Sequence, residues 1–126
     1  LGDVYKRQGL GTSVTIINTH LDHEDDGAPT RASQVVRILE SWNQGPRTLL
    51  VGDMNAEAGT AVIRTLDKAG YSDSNPDGPM TYPSGGPIER IDYIFSTADL
   101  VSAETLTGDS TASDHLLVWA RIRLAS

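Results

Sequence analysis

At 126 residues the chain has room for one domain, or part of one, with a modest core. Its net charge of −7 argues against a broad basic face that tracks duplex nucleic acid, and the absence of cysteine removes disulfides, thiolate zinc sites and a cysteine nucleophile. An apolar content of 38% is low for a soluble domain but too high for a disordered one, no stretch is apolar for long enough to span a bilayer, and nothing here fixes a compartment.

The opening octapeptide, Leu1-Gly2-Asp3-Val4-Tyr5-Lys6-Arg7-Gln8, lacks an initiator Met. It reads as the translated end of a transposase sequencing adapter, so residues 1–8 are expected to be non-native and residues 9–126 to carry the domain. The alternative is a genuine polar strand or loop. Val14 to Asn18 is β-branched and apolar, a buried strand closed by Thr19-His20. Acids, Gly and Pro make Asp22 to Pro29 a loop, in which His23 is expected to stay solvated, with a substrate-rim role as the alternative, and Arg31 is expected to make a local salt bridge. Thr30 is placed to cap a helix whose stripe is Ala32, Val35, Val36 and Leu39, stopped by Gly45-Pro46.

Thr48 to Val51 is a second short buried strand ending in Gly52-Asp53. Strand, helix and strand in this order predict a parallel crossover, which brings His20 and Asp53 out at the same sheet edge. A second helix carries Val62, Thr65, Leu66 and Ala69 on one stripe, with Gly70 past its end. Residues 72–87 read as an irregular surface loop. Strands are expected over Arg90 to Ser96, Leu100 to Leu106 and Leu116 to Leu124, and Trp42 and Trp119 as core or half-core aromatics.

Four polar motifs touch these apolar runs: Asn18-Thr19-His20, Gly52-Asp53-Met54-Asn55, Arg90-Ile91-Asp92-Tyr93 and Ser113-Asp114-His115. If strand geometry persists, Asp53 and Asn55 share a face. The carboxylate can position or deprotonate a water, and the amide can hold a phosphate oxygen without adding repulsion; the same tetrapeptide also fits an ordinary turn. Asp92 is costly to bury alone, and His115 is a natural partner whose tautomer a carboxylate would fix. A surface Arg90–Asp92 pair is the competing reading. Asp114 can bind a hard cation while His115 points elsewhere. With three histidines, no i, i+4 pair and no thiolates, zinc fits poorly, and oxygen ligands suit Mg²⁺ or Mn²⁺. No Gly-rich phosphate loop opens a helix, and Ser113 has no nucleophile elbow.

These four motifs, in this order, resemble the C-terminal half of the endonuclease/exonuclease/phosphatase superfamily, over about Val14 to Leu124. The stretch Thr81-Tyr82-Pro83 leading to Arg90-Ile91-Asp92-Tyr93-Ile94-Phe95 is similar to bacterial members of unassigned substrate. The resemblance implies an α/β fold, the C-terminal half of a four-layer sandwich, with one mixed β-sheet and helices on one face. It implies metal-dependent hydrolysis of a phosphodiester or phosphomonoester by the intact parent, with Mg²⁺ or Mn²⁺. His20 would act at phosphate as acid or hydrogen-bond donor, Asp53 on the water, and Asn55 on a phosphate oxygen. Asp92 would orient His115, which stabilises the transition state, and Asp114 would bind the metal. Net charge disfavours nucleic acid as the substrate, although a metal can neutralise acids locally. Members also use an early Asn and a metal-binding Glu from the N-terminal half, so that half is an expected partner and the fragment alone is expected to be inactive. A scaffold of the same fold without catalysis is the second reading, and a generic α/β domain with coincidental turns the third.

Overall fold

The computed structural model describes residues 3–9, 12–109 and 111–126. Leu1 and Gly2 of the opening octapeptide, and Leu10-Gly11 at the expected start of native sequence, lie outside the described residues.

Strand β1 (Asp3–Gly9) pairs antiparallel with β2 (Thr12–His20). The chain then forms helix α1 (Ala28–Trp42) and returns as β3 (Thr48–Asp53), parallel to β2, with His20 opposite Asp53 in register. The crossover and the shared strand end expected from the sequence are both present. Helix α2 (Ala61–Ala69), the two-residue β4 (Ser72–Asp73) and β5 (Asp92–Ser96) follow, and β5 runs antiparallel to both β3 and β4. The result is a mixed five-stranded sheet of order β1-β2-β3-β5-β4. β6 (Leu100–Gly108) and β7 (Leu117–Leu124) form a separate antiparallel ribbon. β7 lies near β5, but the two share no ladder among the described residues.

Alternation along the strands sorts the sheet into two faces. Ile17, Leu50, Tyr93 and Phe95 point to the helix side and are at most 3% exposed. They pack with Val35 and Ile38 of α1 and Val62 and Leu66 of α2. Ile16, Leu49, Val51 and Ile94 point to the other side and are only half-buried.

The helices differ from the expected stripes in detail. α1 starts two residues before Thr30, with Gly27 at the cap and no side-chain cap bond, because Pro29 in the first turn already has the helical φ and no N–H to satisfy. It ends at Asn43, in the left-handed region, before Gly45-Pro46 is reached. Its buried line runs through Val35 and Ile38, while Val36 is half exposed. α2 buries Ile63 rather than Thr65, and Gly70 ends it at φ 109°, with the amides of Gly70 and Tyr71 closing the last turn. Among the described residues Arg31 makes no local salt bridge; its Nη1 donates to the carbonyls of Asp22 and Glu24. Trp42 is half-buried against Tyr71, but Trp119 is exposed on the ribbon beneath the Arg121 guanidinium. Trp119 pairs with exposed Leu106 across the ribbon, and no described element covers that face.

Candidate active site

Register assembles the site. His20 on β2 lies beside Asp53 on β3, and Asp53 lies beside Asp92 on β5, so three adjacent strands put these residues in one row. The row is on the helix-free face and continues Asn18, Val51 and Ile94, one pleat further along. Close strand approach there depends on Gly52, at φ 136°, where a Cβ would fall 1.8 Å from the Thr19 carbonyl oxygen. Any larger residue would push β2 from β3 just where His20 meets Asp53.

The loop between β6 and β7 brings His115 over this row. Its Nδ1 lies 2.8 Å from Asp92 Oδ2 and its Nε2 lies 3.7 Å from Asp53 Oδ2. His20 Nε2 is 3.4 Å from the same Asp53 oxygen, with its side chain 71% exposed. A carboxylate only accepts, so the contact with Asp92 makes Nδ1 the protonated nitrogen and leaves Nε2 for the cleft.

Strand geometry does not persist past Asp53, contrary to the sequence expectation for Asn55. Asn55 turns through φ 44°, its amide N–H donates to Asp53 Oδ1 at 2.8 Å, and its Nδ2 donates to the Leu21 carbonyl. The turn is therefore what carries Asn55 to the cleft, and an amide NH₂ keeps a second proton beyond the one given to Leu21. The competing surface pair of Arg90 with Asp92 is absent. Arg90 is 8% exposed, lies over the Tyr93 ring, and pairs with Asp73 at 2.8 Å.

His20, Asp53, Asn55, Asp114 and His115 line one cleft of about 760 Å³, and Asp92 stands behind His115. Asp114 is exposed at the rim. His23, read as a solvated loop residue, is exposed and also at the rim, beside Glu24. Sequence reasoning gave no role to Thr81 or Tyr82, yet Thr81 Oγ1 donates to Asp92 Oδ2 at 2.7 Å and the Tyr82 ring lies 4.7 Å from the His115 ring. The only sequence signal for them is the family-like Thr81-Tyr82-Pro83.

The local field is set by three nearby acids, Asp53, Asp92 and Asp114. Burial raises the pKa of Asp53; the Asn55 amide opposes this, Asp92 adds to it, and His20 and His115 oppose it. Burial alone would lower the pKa of His115, but the hydrogen bond and charge of Asp92, then the charges of Asp53 and Asp114, outweigh it and the net shift is upward. Asp53, Asp92 and His115 present ligand atoms within 4.8 Å of one another, a group that could hold a metal ion. Two carboxylates suit a hard divalent cation, although His115 Nδ1 and Asp92 Oδ2 already satisfy each other.

A mixed sheet with helices on one face, and acids and imidazoles converging at adjacent strand ends, defines an α/β domain with a polar strand-end cleft. The Endonuclease/Exonuclease/phosphatase family matches residues 9–115, and the chain belongs to that family. A conserved protein of unknown function from Enterococcus faecalis V583 is 30% identical, covering 97% of this chain and 54% of that one, with a TM-score of 0.81. A Bacteroides thetaiotaomicron mannosyl-6-phosphatase is 20% identical, with coverages of 91% and 53% and a TM-score of 0.72. The human Nocturnin catalytic domain with bound sulfate is 18% identical, with coverages of 97% and 51% and a TM-score of 0.80. The last two are similar in fold. The chain spans about half the length of these solved structures. Among curated proteins, no sequence match reaches significance.

Proposed function

We propose that this chain carries the strand-end half of a metal-dependent phosphoester hydrolase and that its parent protein, with Mg²⁺ or Mn²⁺, hydrolyses a phosphodiester or phosphomonoester. The observation that carries the reading is the Asp92–His115 contact of 2.8 Å, set with His115 Nε2 3.7 Å from Asp53. Asp53 positions or deprotonates the attacking water. Its raised pKa makes it a better base than an ordinary carboxylate. Asn55 holds a phosphate oxygen with its remaining amide proton, and exposed His20 donates to phosphate or to the leaving oxygen. Asp92 keeps His115 with Nε2 towards the cleft and favours the imidazolium, whose Nε2 proton stabilises charge growing on phosphorus-bound oxygen. Asp114 at the rim is the proposed metal ligand; a bound divalent cation would neutralise the acids and the phosphate.

The remaining length of the parent is assigned the rest of the site, and it is the proposed cover for the helix-free face. The decisive experiment assays the full-length parent on phosphomonoesters and phosphodiesters with Mg²⁺, Mn²⁺ or chelator. Chelation should abolish turnover, and Asp53→Ala or His115→Ala should each lower it by on the order of 10²–10⁴. Unchanged turnover in either variant contradicts the role given to that residue. The 126-residue chain should be inactive by itself, and sustained metal-dependent turnover by it would overturn the division of the site.

A further inference from the structure

The segment from Thr81 to Ser84 is used by no step above, yet it touches both partners of the Asp92–His115 pair. Thr81 is 1% exposed. Its hydroxyl donates to Asp92 Oδ2 at 2.7 Å and accepts from the amides of Ile91 at 3.2 Å and Asp92 at 3.3 Å. Its carbonyl accepts from the amide of Leu116, the residue after His115, at 2.8 Å. Tyr82 lays its ring against the imidazole. Ser84 then grips the other side of the loop: its amide donates to the Asp114 carbonyl at 2.7 Å and its hydroxyl to the Ser113 carbonyl at 2.8 Å.

This arrangement answers a mechanical problem. The terminal torsion of an aspartate is broad, so one hydrogen bond to an imidazole does not hold the carboxylate plane. Asp92 Oδ2 has two donors, Thr81 Oγ1 and His115 Nδ1. A second donor fixes which oxygen faces the imidazole and at what angle. Asp92 and His115 are 23 residues apart and sit on different elements. One buried threonine binds the first through its side chain and the backbone beside the second through its carbonyl.

We infer that Thr81 is the positioning residue of the Asp92–His115 pair, its hydroxyl locking Asp92 so that His115 keeps Nδ1 protonated and Nε2 turned to the cleft. The positional claim stands on geometry, and only its catalytic consequence rests on the hydrolase reading. The two are separated by a measurement that needs no turnover. In the 126-residue chain, ¹⁵N imidazole shifts of neutral His115 should report the Nδ1–H tautomer. Thr81→Val should shift the population towards Nε2–H, while Thr81→Ser, which keeps the hydroxyl, should match the unaltered chain. Unchanged shifts in Thr81→Val, or a Thr81→Ser variant that behaves like Thr81→Val, overturn the assignment.

Thr81→Val also strips partners from two amides and could fail to fold, so a second reading uses the unaltered chain. There the Thr81 hydroxyl proton should exchange slowly with water and show a nuclear Overhauser contact to the His115 Nδ1 proton. Rapid exchange without that contact overturns the assignment. In the full-length parent, Thr81→Val should lower kcat by on the order of tenfold with KM unchanged, and Thr81→Ser should restore it. A parent without hydrolase activity but with the tautomer effect intact defeats the functional reading and supports the positional one.

Discussion

The two faces of the central sheet carry similar side chains and play different parts. On the helix side, Leu50, Tyr93 and Phe95 are at most 2% exposed. On the other side, Leu49, Val51 and Ile94 are equally apolar but half-buried. The helix side holds the fold together. The other side holds His20, Asp53 and Asp92, in the row next to Asn18, Val51 and Ile94. An apolar surface running into a polar site is what a sheet shows when something else is meant to lie on it. Whatever covers that face would add to the walls that α1 and α2 already give the cleft.

The largest test of this division is a pair of truncations. Phe95→Ala removes a fully buried ring stacked on Tyr93, with centroids 5.1 Å apart, and should cost about 3–5 kcal/mol in denaturant unfolding. Ile94→Ala, its neighbour on the same strand, should cost less, about 1–2 kcal/mol, because Ile94 is only partly buried. Equal losses would show that the second face is as well packed as the first and would break the comparison.

How far the sequence foretold this depends on the range of the forces involved. His20 and Asp53 were legible as neighbours because two β-branched runs around one helix leave few ways to pair. The Asp92–His115 partnership followed from the cost of a lone acid on an apolar strand. Asn55 was placed at the site for the wrong geometric reason: Gly52-Asp53-Met54-Asn55 is at once a turn and a site, and the turn does the aiming. The competing Arg90–Asp92 pair could not be decided from the sequence, because Arg90's partner, Asp73, is 17 residues away across a loop without periodicity. Thr81 was hidden in the same loop. Val36 and Trp119 failed for another reason. Apolar character marks candidates for burial, but which of two adjacent helical positions turns inward, and whether a strand ribbon is covered, is set by tertiary neighbours.

A smaller effect is expected in association. The half-buried face, with exposed Leu117 and Trp119 on the nearby ribbon, should bind an apolar dye and promote self-association of the 126-residue chain. Val51→Thr with Ile94→Thr should lower dye fluorescence by roughly half with little loss of folded stability. The same pair of changes on the helix side, Leu50→Thr with Phe95→Thr, should raise fluorescence by unfolding the chain. If the first pair leaves dye binding unchanged, the association surface lies on the ribbon instead.

The smallest effect separates the faces by pH. His115 has its pKa raised above the ordinary 6.5: burial works against the shift, and the hydrogen bond and charge of Asp92, then Asp53 and Asp114, prevail. A group that holds its proton more tightly when folded stabilises the fold while it is protonated. That contribution is complete below the unfolded value and is lost as pH rises through the folded one. Asp53 is also raised, chiefly by burial, so its contribution has the same sign, but it begins to fade from the ordinary carboxylate value of 3.8 upward. In the metal-free chain, as pH rises from the ordinary histidine value of 6.5 through the raised folded one, the change carried by His115 itself is therefore a loss of stability. His115→Gln removes that change. The melting temperature of the variant should trail the unaltered chain by a few degrees near the acid end, and the gap should close towards the alkaline end. Phe95→Ala has no such titration, and its deficit should stay level across the same range. A His115→Gln gap that widens with pH would mean that the folded chain favours the neutral imidazole, and the acids around His115 would then be too far or too well screened to govern it.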